Sequence, residues 1–281
     1  MNSQATTKIT FIGAGNMARS LVAGLVEENA DLAITVSDPA EAQLDIIRGR
    51  WPVCTATTDN HAAISDADIV VLAVKPQMMQ KVCEGLATSI QETKPLIISV
   101  AAGVSESSLN RWLGGLLPIV RCMPNTPALV QAGMSGLYAN ARVSDEQRNL
   151  AESIMRAVGM VLWFDDEAKL HAVTAVSGSG PAYFFLLMEA MQASAESFGF
   201  SPQEAQLLVQ QTAFGAAKLA MESPESSGEL RRNVTSPGGT TEAAIGQFQA
   251  AGLAAIVDTA LKAAAQRSIV LSGAKPAIEQ S

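Results

Sequence analysis

A short apolar segment, Lys8–Gly13, runs into Gly13-Ala14-Gly15-Asn16-Met17-Ala18, and apolar residues then recur at helical spacing through Asn16–Glu28. No other feature of the chain restricts its fold so tightly. A strand that turns through G-x-G-x-x-A into a helix has the dinucleotide-binding pattern. Gly13 makes the tight turn, Gly15 lets a pyrophosphate approach the backbone, and the small Ala18 permits close helix packing. The helix also begins with free N–H groups that suit a phosphate. A purely structural glycine turn has the same letters, so the surrounding pattern must decide.

That pattern is a series of strands and helices. Ile34–Ser37, Ile69–Val74, Leu96–Val100, Ile119–Cys122 and Met160–Phe164 read as buried strands. Asp38-Pro39-Ala40-Glu41 reads as a helix start with Asp38 as its cap, and Ser144-Asp145-Glu146-Gln147 as another. Such alternation predicts an α/β fold with a parallel sheet wrapped by helices. Beyond Phe164 no strand is expected. Pro181–Phe198, Pro202–Glu222, Glu242–Ala251 and Leu253–Leu271 read as helices, and Ser177-Gly178-Ser179-Gly180-Pro181 as a loop that breaks one helix and starts another. The expected organisation is a nucleotide-binding domain over 1–164 and an all-helical domain over 165–281. Tyr183-Phe184-Phe185-Leu186-Leu187 makes one helix apolar around its circumference, which demands burial on every side and therefore a partner subunit.

Composition removes other classes. A net charge of −8 argues against a nucleic-acid partner. Two histidines and three scattered cysteines leave no metal cluster and no disulfide framework. The N-terminal residues lack the apolar core of a signal peptide, and the longest uninterrupted apolar runs, Ile69–Val74 and Ala182–Met188, are too short to span a bilayer. A soluble cytoplasmic protein without a membrane partner is the expectation.

Several residues are placed for chemistry. Asp38 ends the second strand, where an acid can hold ribose hydroxyls and repel a 2′-phosphate, or can simply cap the next helix. Ala73, Val74 and Lys75 end another strand, at the edge where ligands of such sheets lie. There Lys75 can touch ribose or phosphate, or remain a solvated surface lysine. Cys122 has Arg121 beside it but no histidine in sequence reach, and suits a small core residue better than a nucleophile. The loop Asn233-Val234-Thr235-Ser236-Pro237-Gly238-Gly239-Thr240-Thr241 leads into a helix. Its free N–H groups and hydroxyls can cradle a carboxylate, or the loop can be only a cap.

Phe11–Ala18, Ala73–Gln77, Ser99–Gly103, Arg121–Ala128, Ala175–Tyr183 and Ser236–Thr241, taken in order, resemble the pyrroline-5-carboxylate reductases. Ser-Pro-Gly-Gly-Thr-Thr is the specific string among them. The resemblance implies a Rossmann-like domain, a helical domain interlocked with a second subunit, and assembly as a homodimer or a decamer of five dimers. It implies hydride transfer from NADPH or NADH to the cyclic imine pyrroline-5-carboxylate, giving proline. Carried onto this chain, Gly13, Gly15, Asn16 and Met17 would hold the pyrophosphate, with Asp38 and Asn60 on the adenosine side. Ala73, Val74, Lys75 and Ala101 would line the nicotinamide end. Ser236, Gly239 and Thr240 would grip the substrate carboxylate, Thr241 would meet the ring nitrogen as the catalytic residue, and Asn233 would reach a cofactor in the partner subunit. Many family members have hydroxyls or amides where Asp38 stands, which leaves the choice between NADH and NADPH open. No histidine or acid is expected near the loop. Two rivals have the same two-part layout. A hydroxyacid reductase would need a lysine early in the helical domain, and Tyr183–Ala195 has none. A non-catalytic dinucleotide sensor would not need a carboxylate-binding loop.

Overall fold

The computed structural model describes residues 6–28 and 32–273. They fall into two compact units, one formed by the chain up to Ser179 together with the segment from Ala264, the other by Gly180–Ala263.

The first unit is a doubly covered sheet. Its strands are β1 (Thr7–Ile12), β2 (Leu32–Ser37), β3 (Thr55–Thr57), β4 (Ile69–Leu72), β5 (Leu96–Ser99), β6 (Ile119–Met123), β7 (Gly133–Ala139) and β8 (Gly159–Trp163), in the order β3-β2-β1-β4-β5-β6-β7-β8. The helices between them are α1 (Asn16–Glu28), α2 (Glu41–Arg50), α3 (Asn60–Ile64), α4 (Pro76–Thr93), α5 (Glu106–Trp112) and α6 (Asp145–Arg156). Alternation along each strand builds the two cores. Ile9 and Phe11, Ile69 and Val71, and Leu96 and Ile98 join Leu21, Leu44 and Ile154 on one face. Ile12, Val70, Leu72 and Ile97 join Met79, Leu86 and Leu109 on the other.

The sequence reading missed β3 and β7. The first is three residues of Thr-Ala-Thr, too short and polar to show a period. The second contains Gly133 and Gly136, and it runs antiparallel to β6, so the sheet is not wholly parallel. Its glycines are a packing requirement. A Cβ on Gly133 would stand 2.7 Å from the Val158 carbonyl oxygen, and one on Gly136 would stand 2.7 Å from the Val173 side chain. The capping box at Ser144 and Gln147 is present, but the one expected at Asp38 is not. Ala40 precedes α2 without a side-chain cap, while Asp38 Oδ1 accepts the Ala40 N–H at 2.9 Å. The carboxylate closes its own turn two residues ahead, which takes it away from the helix end.

After β8 come α7 (Lys169–Val173) and α8 (Gly180–Ser197), joined by a π turn, Thr174–Gly178, rather than the expected break. The Ser179 N–H donates to the Thr174 carbonyl at 2.8 Å, one residue further than an α-helix allows. Helical structure is thus continuous over Lys169–Ser197, long and apolar enough to cross a bilayer by length and composition. The expectation from uninterrupted apolar runs overlooked it, because Ser177 and Ser179 interrupt the run of letters without ending the helix.

The second unit holds α8, α9 (Pro202–Glu222), α10 (Ser227–Asn233), α11 (Thr240–Ala250) and the start of α12 (Leu253–Leu271). It has almost no core of its own. Ala205 and Val209 are the buried residues of α9, none is buried in α10 or α11, and Phe184, Phe185 and Leu186 are about two-thirds exposed.

One polar cluster fastens helices to the sheet of the first unit. Arg121 on β6 is buried, and its Nη1 donates to Glu167 Oε1 at 2.8 Å. The same oxygen accepts the Glu106 N–H. His171 Nδ1 shares a hydrogen bond with the buried Ser268 Oγ, 2.9 Å away on α12. Burial first, and then the nearby Arg121, lower the His171 pKa below its ordinary 6.5, with Glu167 opposing. The unfolded chain therefore protonates this ring at a higher pH than the folded chain does. Stability should be flat above about pH 6.5 and fall as the pH drops below it, and His171→Asn should remove that part of the slope in urea titrations. Glu167→Ala, which strands the buried Arg121 charge, should cost about 3 kcal/mol at neutral pH in the same measurement.

Candidate active site

The carboxyl ends of β1, β2 and β4 meet around a cleft of about 450 Å³. Gly13, Gly15, Asp38, Asn60, Ala73, Val74 and Lys75 all line it. Gly13 lies at φ 103°, and a Cβ on it would come within 2.8 Å of the Ala73 carbonyl oxygen. The Gly13 N–H donates to the Ser37 carbonyl at 2.7 Å and the Ala73 N–H to the Ile12 carbonyl at 2.9 Å, so three strand ends are drawn together at this glycine. Gly15 is different. A Cβ there would meet nothing within 4 Å, so the fold itself gives no reason for a glycine. The N–H groups of Asn16, Met17 and Ala18 have no acceptor among the described residues. An open glycine beside unpaired amides at a helix start fits a pyrophosphate.

Asp38 holds the far wall. Its Oδ2 accepts the Ala14 N–H at 2.9 Å, in addition to the Ala40 N–H on Oδ1. Asn60 begins α3, and its Oδ1 accepts the Ser37 hydroxyl at 2.6 Å. Lys75 precedes Pro76 at the start of α4. Three expected residues are not part of that lining. Asn16 and Met17 are on α1 outside the cleft wall, with Met17 packed against the core, and Ala101 is buried past the end of β5. Gln43 and Thr58 also line the cleft, and the sequence reading missed them. Thr58 follows the unrecognised β3, and Gln43 belongs to a helix whose start was set too early.

The three cysteines are buried and free. Burial pushes the Cys54 thiol up to about 11 and those of Cys83 and Cys122 to about 12. None is a nucleophile at neutral pH.

In the second unit Ser236 and Gly239 lie in the loop between α10 and α11, and Thr240 and Thr241 open α11 itself. The Gly239 N–H is spent on the Ser236 carbonyl at 3.0 Å, whereas those of Thr240, Thr241 and Glu242 have no acceptor among the described residues. Thr241 is half-buried and Ser236 exposed. An acid does stand at this loop, contrary to expectation. Glu242 Oε2 accepts the Gly238 N–H at 2.7 Å and holds the turn from within the helix. The Asn233 side chain donates to the Glu225 carboxylate at 3.0 Å.

Comparison with known proteins matches the two ends of the chain to two family models. A family model for NADP oxidoreductase, coenzyme F420-dependent, matches residues 8–103, and one for pyrroline-5-carboxylate reductase dimerisation matches residues 167–271. A pyrroline-5-carboxylate reductase of Pseudomonas aeruginosa is 53% identical over 95% of this chain and 98% of its own. The structure of a Coxiella burnetii pyrroline-5-carboxylate reductase covers 95% of this chain and 99% of its own, at 47% identity and a TM-score of 0.90. The Plasmodium falciparum enzyme, solved with NADP bound, covers 96% of this chain and 100% of its own, at 25% identity and a TM-score of 0.83.

The two cleft glycines should separate under substitution. Gly15→Ala should leave the melting temperature within about 2 °C of wild type, a surface-like change, yet weaken dinucleotide binding in a calorimetric titration. Gly13→Ala should lower the melting temperature itself, because its Cβ collides with backbone at a positive φ.

Proposed function

Because the chain belongs to the pyrroline-5-carboxylate reductase family, we propose that it reduces 1-pyrroline-5-carboxylate to L-proline, the last step of proline biosynthesis. One pairing of features carries the reading. The cleft of the first unit has a glycine open to a pyrophosphate, and the first turn of α11 offers three unpaired amides beside the hydroxyl residues Ser236, Thr240 and Thr241. NADH or NADPH, when bound, supplies the hydride.

The protein positions and polarises. The amides at the start of α1 hold the pyrophosphate, Asp38 and Asn60 the adenosine side, and Ala73 to Lys75 with Ala101 the nicotinamide end. Ser236 and the free amide of Thr240 fix the substrate carboxylate, while Gly239, its own N–H bound to the Ser236 carbonyl, shapes the turn beside it. Hydrogen bonding from Thr241 to the ring nitrogen draws electrons from the C=N carbon and makes it the better hydride acceptor. A threonine hydroxyl is too weak an acid to give up its proton unaided, so a water or the already protonated imine provides it. Glu242 keeps the loop closed through Gly238. Residues 1–164 serve the cofactor, and 165–281 the substrate and the assembly.

The assembly is a homodimer or a decamer of such dimers, located in the cytoplasm and independent of nucleic acid and membrane. The apolar faces of α8 and α9 are what the second subunit covers. Asn233 then reaches the cofactor of that subunit. Light scattering on dilute protein should return a dimer or a larger multiple. A stable, active monomer would remove Asn233 from the site.

Activity itself is read from loss of nicotinamide absorbance on adding pyrroline-5-carboxylate. Ser236→Ala should act mainly on KM, because the carboxylate contact is the same in ground and transition states. Thr241→Ala should lower kcat about 10- to 1000-fold, the loss expected for one transition-state donor, and Thr241→Ser should restore much of it. That loss should shrink at low pH, where more of the imine is already protonated.

A further inference from the structure

A single carboxylate, Asp38, stands in the cleft wall at the end of β2. Asp38 and Lys75 are the charged residues in that wall. Lys75 stands at the end of β4 and Asp38 at the end of β2, with β1 between them, and no ion pair joins the two among the described residues. Arg48, the nearest arginine along α2, is committed to Asp45 at 2.8 Å and Glu41 at 3.3 Å. Among the described residues that line the cleft, Lys75 is the one cation, and it stands two strands away from Asp38.

The Asp38 carboxylate is also held in place. One oxygen accepts the Ala14 N–H of the glycine turn and the other the Ala40 N–H. Rotating the carboxylate out of the cleft would strip both amides of their acceptor. Each oxygen keeps a lone pair for a further donor, which suits the hydroxyls of an unmodified ribose. A 2′-phosphate brings about −1.5 to −2 charges and only acceptor oxygens, and it would meet a fixed anion.

We propose that Asp38 is a specificity-determining residue that selects NADH over NADPH by retaining a braced carboxylate where the 2′-phosphate would lie. The proposal rests on the dinucleotide reading of the cleft and departs from the NADP-bound state of the Plasmodium falciparum relative. It also gives Asp38 a second task, since the bond to Ala14 supports the turn that faces the pyrophosphate.

The test is direct binding of NADH and of NADPH to the intact protein, without substrate, followed by cofactor fluorescence. Wild type should bind NADH on the order of tenfold more tightly or better, the size of effect that opposed like charges produce. Asp38→Asn, which retains one acceptor for the brace and loses the charge, should bring the two dissociation constants close together. Gln43→Arg, in the same wall with the brace intact, should strengthen NADPH binding and leave NADH binding nearly unchanged. Melting temperatures recorded alongside check that each variant is folded. The proposal fails if wild type binds NADPH as tightly as NADH. It fails equally if both Asp38→Asn and Asp38→Ala weaken the two cofactors in step, because the carboxylate is then a brace alone. Failure of wild type to bind either cofactor would instead overturn the reductase reading.

Discussion

Between Gly13 and the carbonyl of Ala73 there is no room for a side-chain carbon. The ends of β1 and β4 therefore touch through backbone, and the Gly13 N–H reaches the end of β2 in the same step. The rest of the cleft is arranged around that contact. It puts Asp38 within reach of Ala14, leaves Gly15 open, and sets the first amides of α1 free of partners. A larger residue at position 13 would push apart three strands that the apolar cores on both faces hold together.

Much of this could be read from residue letters because glycine and strand periodicity act locally. α1, α9 and α12 were expected at the bounds they have, since caps, Pro202 and Gly252 mark them. Harder to read were features whose cause is distant. β7 has two glycines and an interior serine, and the glycines are explained only by distant neighbours, Val158 against Gly133 and Val173 against Gly136. The π turn at Thr174–Gly178 has the composition of a loop and the hydrogen bonds of a helix. Asp38 fitted the pattern of a helix cap, yet its partners include an amide 24 residues earlier in the chain. Glu242 acts through the Gly238 N–H in the turn before it, a supporting contact that its place in the sequence does not announce.

The second unit has the reverse problem. Its helices were easy to locate and hard to justify, since Phe184, Phe185 and Leu186 face outward in a single chain. Burial of such side chains yields about 1.5–3 kcal/mol each, so leaving them in water forgoes much of the stability that helices of this length need. Their match to a dimerisation domain accounts for an otherwise unprofitable surface. In the proposed dimer, folding of this half and assembly are parts of one equilibrium, and apparent stability depends on protein concentration.

The thiols of Cys54, Cys83 and Cys122 have a practical consequence. All three sit in the sheet-bearing unit, one on each of three different elements or turns, and all are held protonated by burial. An alkylating reagent finds no thiolate while the sheet is closed, so modification must wait for an opening event. Each cysteine is thereby a built-in clock for its own stretch of backbone. Mass-resolved alkylation over time would chart which parts of the cofactor unit breathe separately and which open only together.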